Sequence, residues 1–328
     1  MPPSLRRGTI TAVVERLEEL ARVEVDGKPC VAYPRVTGPV ELGDEVIVNV
    51  QARELGLGSG GFDVLYVNLT RGLELAAEPG AHVMTLPYTP LQAAVRHVEE
   101  EGKLAESLDG MPVVCCSLHS QLAPACAGIG EGVRVAYVQL GGGALPVSLS
   151  DSLRALKKGG LVEIGIASGA CIDGDAQAVG VASALAWAAA EGFAVAVCAV
   201  GPGIVGTGSA LGHGGVAAAE AANAASALGG SPVLAVRVSE GDSRERHRGI
   251  SHHTRAVLGL AIGEVTVAWP AGLEAPDWLS RREEVDVTGW REACAGLPLE
   301  HMGRGPGDDP CFFASAFAAG KLARRLAG

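Results

Sequence analysis

The chain has 328 residues, 48% of them hydrophobic and only 4% aromatic, and a net charge of −11. The length allows two ordinary domains, and the composition predicts a globular core of Ala, Val, Leu and Gly rather than rings. A field of that sign repels phosphate backbones and anionic headgroups, which argues against nucleic acid and membrane surfaces as partners.

The opening "MPPSLRRGTITAVVERLEEL" holds no apolar stretch of secretory-signal length. Residues 181–206, the most apolar segment, are interrupted by Glu191 and Pro202 and read as helix, turn and buried strand rather than a membrane span. Eight cysteines without a CxxC pair fit reduced, buried thiols. Together these features predict a cytoplasmic protein.

The first ~80 residues alternate apolar and polar positions in short runs: "GTITAVVERL", "LARVEVDG", "PCVAYPRV", "DEVIVNVQ" and "FDVLYVNL". Turn signals "DGK", "TGPVELGD" and "GLGSGG" separate them. The pattern predicts a small five-stranded barrel-like β domain over 1–80. A helix through 13–22 competes, but Thr9, Val13, Val14, Val23 and Val25 favour strand.

An α/β domain is predicted over 81–328. In "TPLQAAVRHVEEEG", Thr89 reads as an N-cap, Pro90 as the first helical residue and Gln92 as the reciprocal partner of a capping box. Six runs then read as strands: "MPVVCCS", "VRVAYVQL", "LVEIGIA", "AVAVCAV", "PVLAVRV" and "EVTVAW". Helices are predicted over 121–129, 148–158, 174–191, 214–228 and 251–262, and a last one after Asp309 and Pro310. Runs apolar on both faces, each followed by a helix, predict a mostly parallel sheet with helices on both sides.

In such sheets ligands bind at the carboxyl ends of the strands. The segments leaving these strands, at 117–121, 141–146, 168–175, 201–215 and 239–253, hold most of this domain's glycine, small polar and histidine content. They predict a pocket; the competing reading is glycine that only permits close backbone packing. "GPGIVGTGSALGHGG" at 201–215 formally spells G-x-G-x-x-G. Pro202, the glycines continuing to Gly215 and the distance to Glu240 all disfavour a dinucleotide site. A phosphate-cradling P-loop lacks its lysine. An anion nest remains, with Gly203, Gly206 and Gly208 presenting amides and Thr207 and Ser209 adding hydroxyls.

His213 is the only titratable side chain of that loop, and "GDSRERHRGISHHT" adds Asp242, Arg244, His247, His252 and His253. Ser251 is a natural N-cap, which places His252 and His253 in a first helical turn. His213, His247, His252 and His253 are the candidate catalytic residues, for acid–base work or for holding a divalent metal with Asp242 as partner. A solvated charged loop is the plainer alternative. No HExxH pair selects a metal, and no motif specifies a cofactor. Ser117, His119 and Ser120 end a strand without a nucleophile elbow, and so enter as ligand-binding candidates. Asp173 and Asp175 lack EF-hand spacing; one is expected to cap the following helix, leaving the other for a ligand.

"LHSQLAP", "GPGIVGTGSALGHGG" and "RHRGISHHT", in this order after a small β domain, resemble the bacterial domain-of-unknown-function family 3866. The resemblance spans essentially the whole chain. It implies a protein of about this length and carries no activity with it. Two function classes therefore stand. One is a binder of, or enzyme acting on, a small anionic metabolite in a pocket formed by 117–121, 168–175, 201–215 and 239–253. The other is a non-catalytic regulatory or scaffolding protein whose β domain contacts other proteins. The composition leaves homo-oligomerisation open.

Overall fold

Period-2 alternation in the first 68 residues closes into a barrel. The computed structural model describes residues 2–56, 60–279 and 281–328; residues 57–59 of the predicted "GLGSGG" turn lie outside them. Strands β1 (Leu5–Arg16), β2 (Ala21–Val25), β3 (Lys28–Ala32), β4 (Glu45–Asn49) and β5 (Asp63–Asn68) close in the order β1-β2-β3-β5-β4. All ladders are antiparallel except β3 with β5. The strand reading of 13–16 is therefore the right one. Ile10, Val23, Val46, Val48 and Leu65 fill the interior. Two single turns, α1 (Pro34–Thr37) and α2 (Gln51–Glu54), link the strands.

The barrel's buried charges are matched one to one. Asp44 is 2% exposed and accepts from Asn68 Nδ2 at 2.8 Å, the Glu41 amide at 2.9 Å and Arg71 Nε at 2.9 Å. Asp63 takes Arg53 through both oxygens, each at 2.8 Å.

The helix predicted from Thr89 is not formed. Residues 83–95 make a hairpin of β6 (Val83–Thr85) and β7 (Ala93–Val95). The residues that looked like a capping box build its turn: Thr89 Oγ1 donates to the Leu86 carbonyl at 2.8 Å, and Gln92 Oε1 accepts from the Tyr88 amide at 3.0 Å. Leu86 and Tyr88 sit at φ of 46° and 60°, outside the helical region.

The chain divides into two units, residues 1–96 and 97–328. The second opens with α3 (Val98–Glu101) and holds an eight-stranded sheet whose ladders are all parallel. In chain order its strands are β8 (Pro112–Cys116), β9 (Val135–Leu140), β10 (Ile164–Ser168), β11 (Ala176–Ala178), β12 (Val195–Val200) and β13 (Ser231–Ala235). A separate two-residue ladder pairs β14 (Val238–Ser239) with β15 (Gly249–Ile250), and β16 (Thr266–Pro270) and β17 (Arg282–Val285) finish the sheet. The spatial order is β11-β10-β9-β12-β8-β13-β16-β17.

Helices α4 (Leu122–Ile129) and α5 (Asp151–Lys158) cover one face, and α6 (Val181–Ala190), α7 (Ala217–Ala227) and α8 (His252–Leu260) the other. A single turn, α9 (Trp290–Ala293), precedes the long α10 (Pro310–Ala327), which lies on the α4 face. The α/β fold with a preceding β-barrel is as the sequence predicts. The predicted helix over 174–191 is shorter: residues 176–178 form the edge strand β11, and Gly180 rather than Asp173 or Asp175 stands at the N-cap. Among the described residues no helix is long and apolar enough to cross a membrane.

Candidate functional site: a histidine cluster beside a buried arginine

Three neighbouring strands, β12, β8 and β13, end at one place, and their outgoing segments supply the candidate site. Glycine explains how the first of them packs. The loop after β9 crosses the loop after β12 so closely that a Cβ on Gly214 would stand 1.9 Å from the Gly142 carbonyl oxygen. One on Gly201 would stand 2.0 Å from the Ala144 carbonyl oxygen. Close backbone packing thus accounts for Gly201 and Gly214.

Residues 205–214 then turn back on themselves. Gly206 and His213 form an antiparallel bridge, the Thr207 amide donates to the Gly212 carbonyl at 2.7 Å and the Gly214 amide to the Val205 carbonyl at 2.8 Å. Thr207 Oγ1 and Ser209 Oγ lie 2.9 Å apart and take the Ser209 and Gly212 amides. These hydroxyls and amides satisfy one another. Of the three glycines expected to present amides, Gly203 alone has positive φ, at 69°; Gly206 and Gly208 do not. Helix α7 begins only at Ala217, so no helix opens at the third glycine of the formal fingerprint.

The bridge delivers His213 into a cluster. Ser251 caps α8 as the sequence predicts, accepting from the His253 amide at 3.2 Å, and so fixes His252 and His253 in the first turn. The rings of His213 and His253 stack at 3.7 Å, and His252 stands edge-on to both, at 5.1 and 4.6 Å. His247, from the turn Glu245–His247, lies 4.8 Å from His252 and holds Ser251 Oγ at 2.7 Å through Nδ1. His213, His247 and His253 are buried and His252 is half-buried. One nitrogen from each of His213, His252 and His253 lies within 4.8 Å of the others.

Behind the cluster lies a charge that sequence reasoning did not single out. Arg237, 2% exposed, donates to His253 Nδ1 at 3.1 Å and reaches Asp242 and His301 Nε2, each at 3.5 Å. The buried Asp242 also takes Arg244 through two bonds of 2.9 and 2.8 Å and Arg304 at 3.1 Å. Asp309 accepts from Ser239 Oγ at 2.5 Å, from the Glu240 amide at 3.1 Å and from Arg304 at 3.4 Å. Drawn into this network, its carboxylate does not cap α10. Three guanidinium groups therefore meet two buried carboxylates.

The field follows. Burial, then the positive charge of Arg237, pushes His253 well down, and the same causes hold His247 and His301 at about 3. Burial and neighbouring cations also lower His213 and His252. All five imidazoles are neutral at pH 7. Asp242 is held far below the ordinary carboxylate range: burial raises it, and Arg244 and Arg304 outweigh that.

The remaining candidates divide. Ser120 touches this network through His301 Nδ1 at 3.2 Å, and Ser117 lies beside it, its carbonyl 2.9 Å from where a Gly215 Cβ would stand. His119 turns away to Ser150 Oγ at 2.8 Å, pushed down to about 4 by burial. Asp173 holds Ser148, and Asp175 holds Lys157 and the Gly165 amide, both at 2.6 Å. Their loop follows β10, four strands from β13, or roughly 19 Å at the usual strand spacing. The structure does not bring 168–175 to the histidines. His301, Arg304 and Asp309 carry no local motif. Arg237 had one usable signal, a lone cation inside the apolar run "PVLAVRV".

A family model described as "Protein of unknown function (DUF3866)" matches residues 29–320. The chain belongs to this family. The match begins at Pro29 in β3, leaving out β1 and β2 of the barrel, and takes in every residue of the histidine–arginine centre. No curated protein and no solved structure matches the chain.

Proposed function

We propose that the centre binds a small anionic metabolite, with the cluster histidines facing it as neutral bases. The observation that carries this reading is an excess of positive charge at a buried centre: Arg237, which is buried, and the partly exposed Arg244 and Arg304 share the buried Asp242 and Asp309. Buried charge is costly unless matched, and a carboxylate or phosphate restores the balance. Arg237 Nε is buried with no partner, an unused donor of the kind a planar oxyanion takes. Neutral imidazoles beside a bound anion are also the groups a proton-transfer step needs. The site is smaller than the loops first suggested. It draws on 117–121, 213–215 and 237–253, with His301, Arg304 and Asp309 added and 168–175 removed.

Thermal unfolding with inorganic phosphate or succinate, against chloride at matched ionic strength, tests it. An anion at a hundredfold excess over its Kd stabilises the native chain by about 2.7 kcal/mol. Arg244→Ala, at the half-exposed edge of the cluster, should abolish most of that gain. Equal melting in all three salts would reject the reading.

A further inference from the structure

The lone pair of His213 is already fixed in direction. Its Nε2 lies 3.1 Å from the Ala210 carbonyl oxygen, which can only accept, so Nε2 carries the proton. The neutral ring therefore aims a bare lone pair from Nδ1, and that atom is buried with no partner. A metal-bound histidine has this arrangement, its second nitrogen donating to a carbonyl. Nε2 of His252 is also buried and unpartnered. His253 Nδ1 faces the same place as His213 Nδ1: a Cβ on Gly215 would lie 3.1 Å from one and 3.3 Å from the other. Gly215 leaves that space open.

We infer that His213, His252 and His253 bind one divalent transition-metal ion, through Nδ1, Nε2 and Nδ1 respectively. Tetrahedral ligands at about 2.0–2.1 Å from zinc stand roughly 3.3 Å apart. One nitrogen from each of the three rings lies within 4.8 Å of the others; a metal lies in the plane of each imidazole that holds it, so the His213 and His253 rings turn out of their 3.7 Å stack to close the set. Imidazole-only coordination leaves a fourth position open and suits zinc, cobalt or nickel rather than calcium or magnesium.

The surrounding guanidiniums oppose a bare cation, and here the inference rests on the anion-binding reading above. His253 Nδ1 now accepts from Arg237 Nη1. A metal at that nitrogen displaces the guanidinium, whose Nη1 joins the unpartnered Nε as free donors. An anion at the open metal position takes them up. Metal and anion should therefore bind with positive coupling.

The test uses the full-length chain stripped with chelator, then titrated with cobalt(II) alone and zinc alone. Calorimetry, and the visible absorption of cobalt in a nitrogen site, report binding. One ion per chain is expected. His213→Ala and His252→Gln should each weaken it by more than the roughly 10–100-fold that a lost outer partner costs. His252 is half-buried, so its glutamine variant keeps the test open if His213→Ala misfolds. No cobalt or zinc binding, or binding unchanged in the folded variants, overturns the metal site. Inorganic phosphate is then titrated into stripped and loaded protein. Tighter phosphate binding to the loaded chain supports the coupling. Phosphate binding without any metal binding overturns the metal site alone. Metal binding without phosphate leaves the metal site standing and overturns both the coupling and the anion reading.

Discussion

Asp44 in the barrel and Asp242 at the end of β13 are both buried carboxylates held by arginine, and they differ in how the surrounding network ends. Asp44 meets one guanidinium, one side-chain amide and one backbone amide. Among the described residues of the barrel, 2–68, no buried side-chain polar atom lacks a partner. Around Asp242 three guanidiniums converge, and Arg237 Nε, His213 Nδ1 and His252 Nε2 are buried without partners. Both networks are buried at a cost in desolvation. The first is closed and adds fixed structure. The second stops short, and buried groups without partners need an explanation outside the chain. Burial of charge alone does not mark a site; three unpartnered donors and acceptors gathered at one buried charge cluster distinguish the second network from the first.

The sharpest way to break this contrast is Asp242→Ala. Removing one partner of a buried ionic cluster costs about 3–5 kcal/mol, and here it leaves Arg237, Arg244 and Arg304 with less counter-charge. Urea unfolding should show that loss in the α/β unit, and added phosphate should recover part of it by standing in for the carboxylate. If phosphate raises the variant's stability no more than the wild type's, the centre does not accept an external anion.

Asp44→Ala probes the closed network and should cost less, about 2–3 kcal/mol, because Arg71 is half exposed and returns to water while Asn68 and the Glu41 amide lose an acceptor. No anion should rescue it. The pH dependence has a defined sign. Burial raises the Asp44 carboxyl, but Asn68, the Glu41 amide and Arg71 outweigh it and hold it below 3.8. A depressed pKa gives stability that is complete above the unfolded value and is lost as pH falls through the folded one. The gap between wild type and Asp44→Asn should therefore be widest near neutrality and narrow below about pH 4, as followed by unfolding at each pH. A gap that widens in acid would contradict the hydrogen-bond assignment.

Legibility differed between the two regions for a related reason. Barrel strands and parallel strands are periodic, so residues 5–68 and the runs ending at Cys116, Leu140 and Val200 could be read one segment at a time. Residues 89–98 could not, since the same Thr-Pro-Leu-Gln serves a cap or a turn, and pairing of β7 with β6 decides between them. The histidines were visible because four of them fall in two short motifs and Ser251 announces the helix that presents two of them. Arg237, His301, Arg304 and Asp309 converge only through the fold, across as many as 72 residues of chain from Arg237 to Asp309. The glycines of 201–215 advertised a ligand, yet Gly201 serves contact with the Ala144 backbone and Gly214 contact with the Gly142 backbone.

The smallest effect tests the hairpin itself. Thr207 Oγ1 is bound to Ser209 Oγ at 2.9 Å and to the Gly212 carbonyl at 3.0 Å, and it takes the Ser209 amide at 3.2 Å. These bonds close an exposed turn, so Thr207→Ala should cost about 0.5–1.5 kcal/mol, the net worth of an ordinary neutral hydrogen bond. The loss should be local, read as faster amide exchange at Ser209 and Gly212 with little change in global unfolding. Phosphate affinity, set by the guanidiniums rather than by this hydroxyl, should stay within about twofold of wild type, or ~0.4 kcal/mol. The opposite result would matter more. If Thr207→Ala weakened phosphate binding while amide exchange stayed as before, the hydroxyl would be contacting the anion. The glycine loop would then belong with the open network around Asp242, not with the closed one around Asp44.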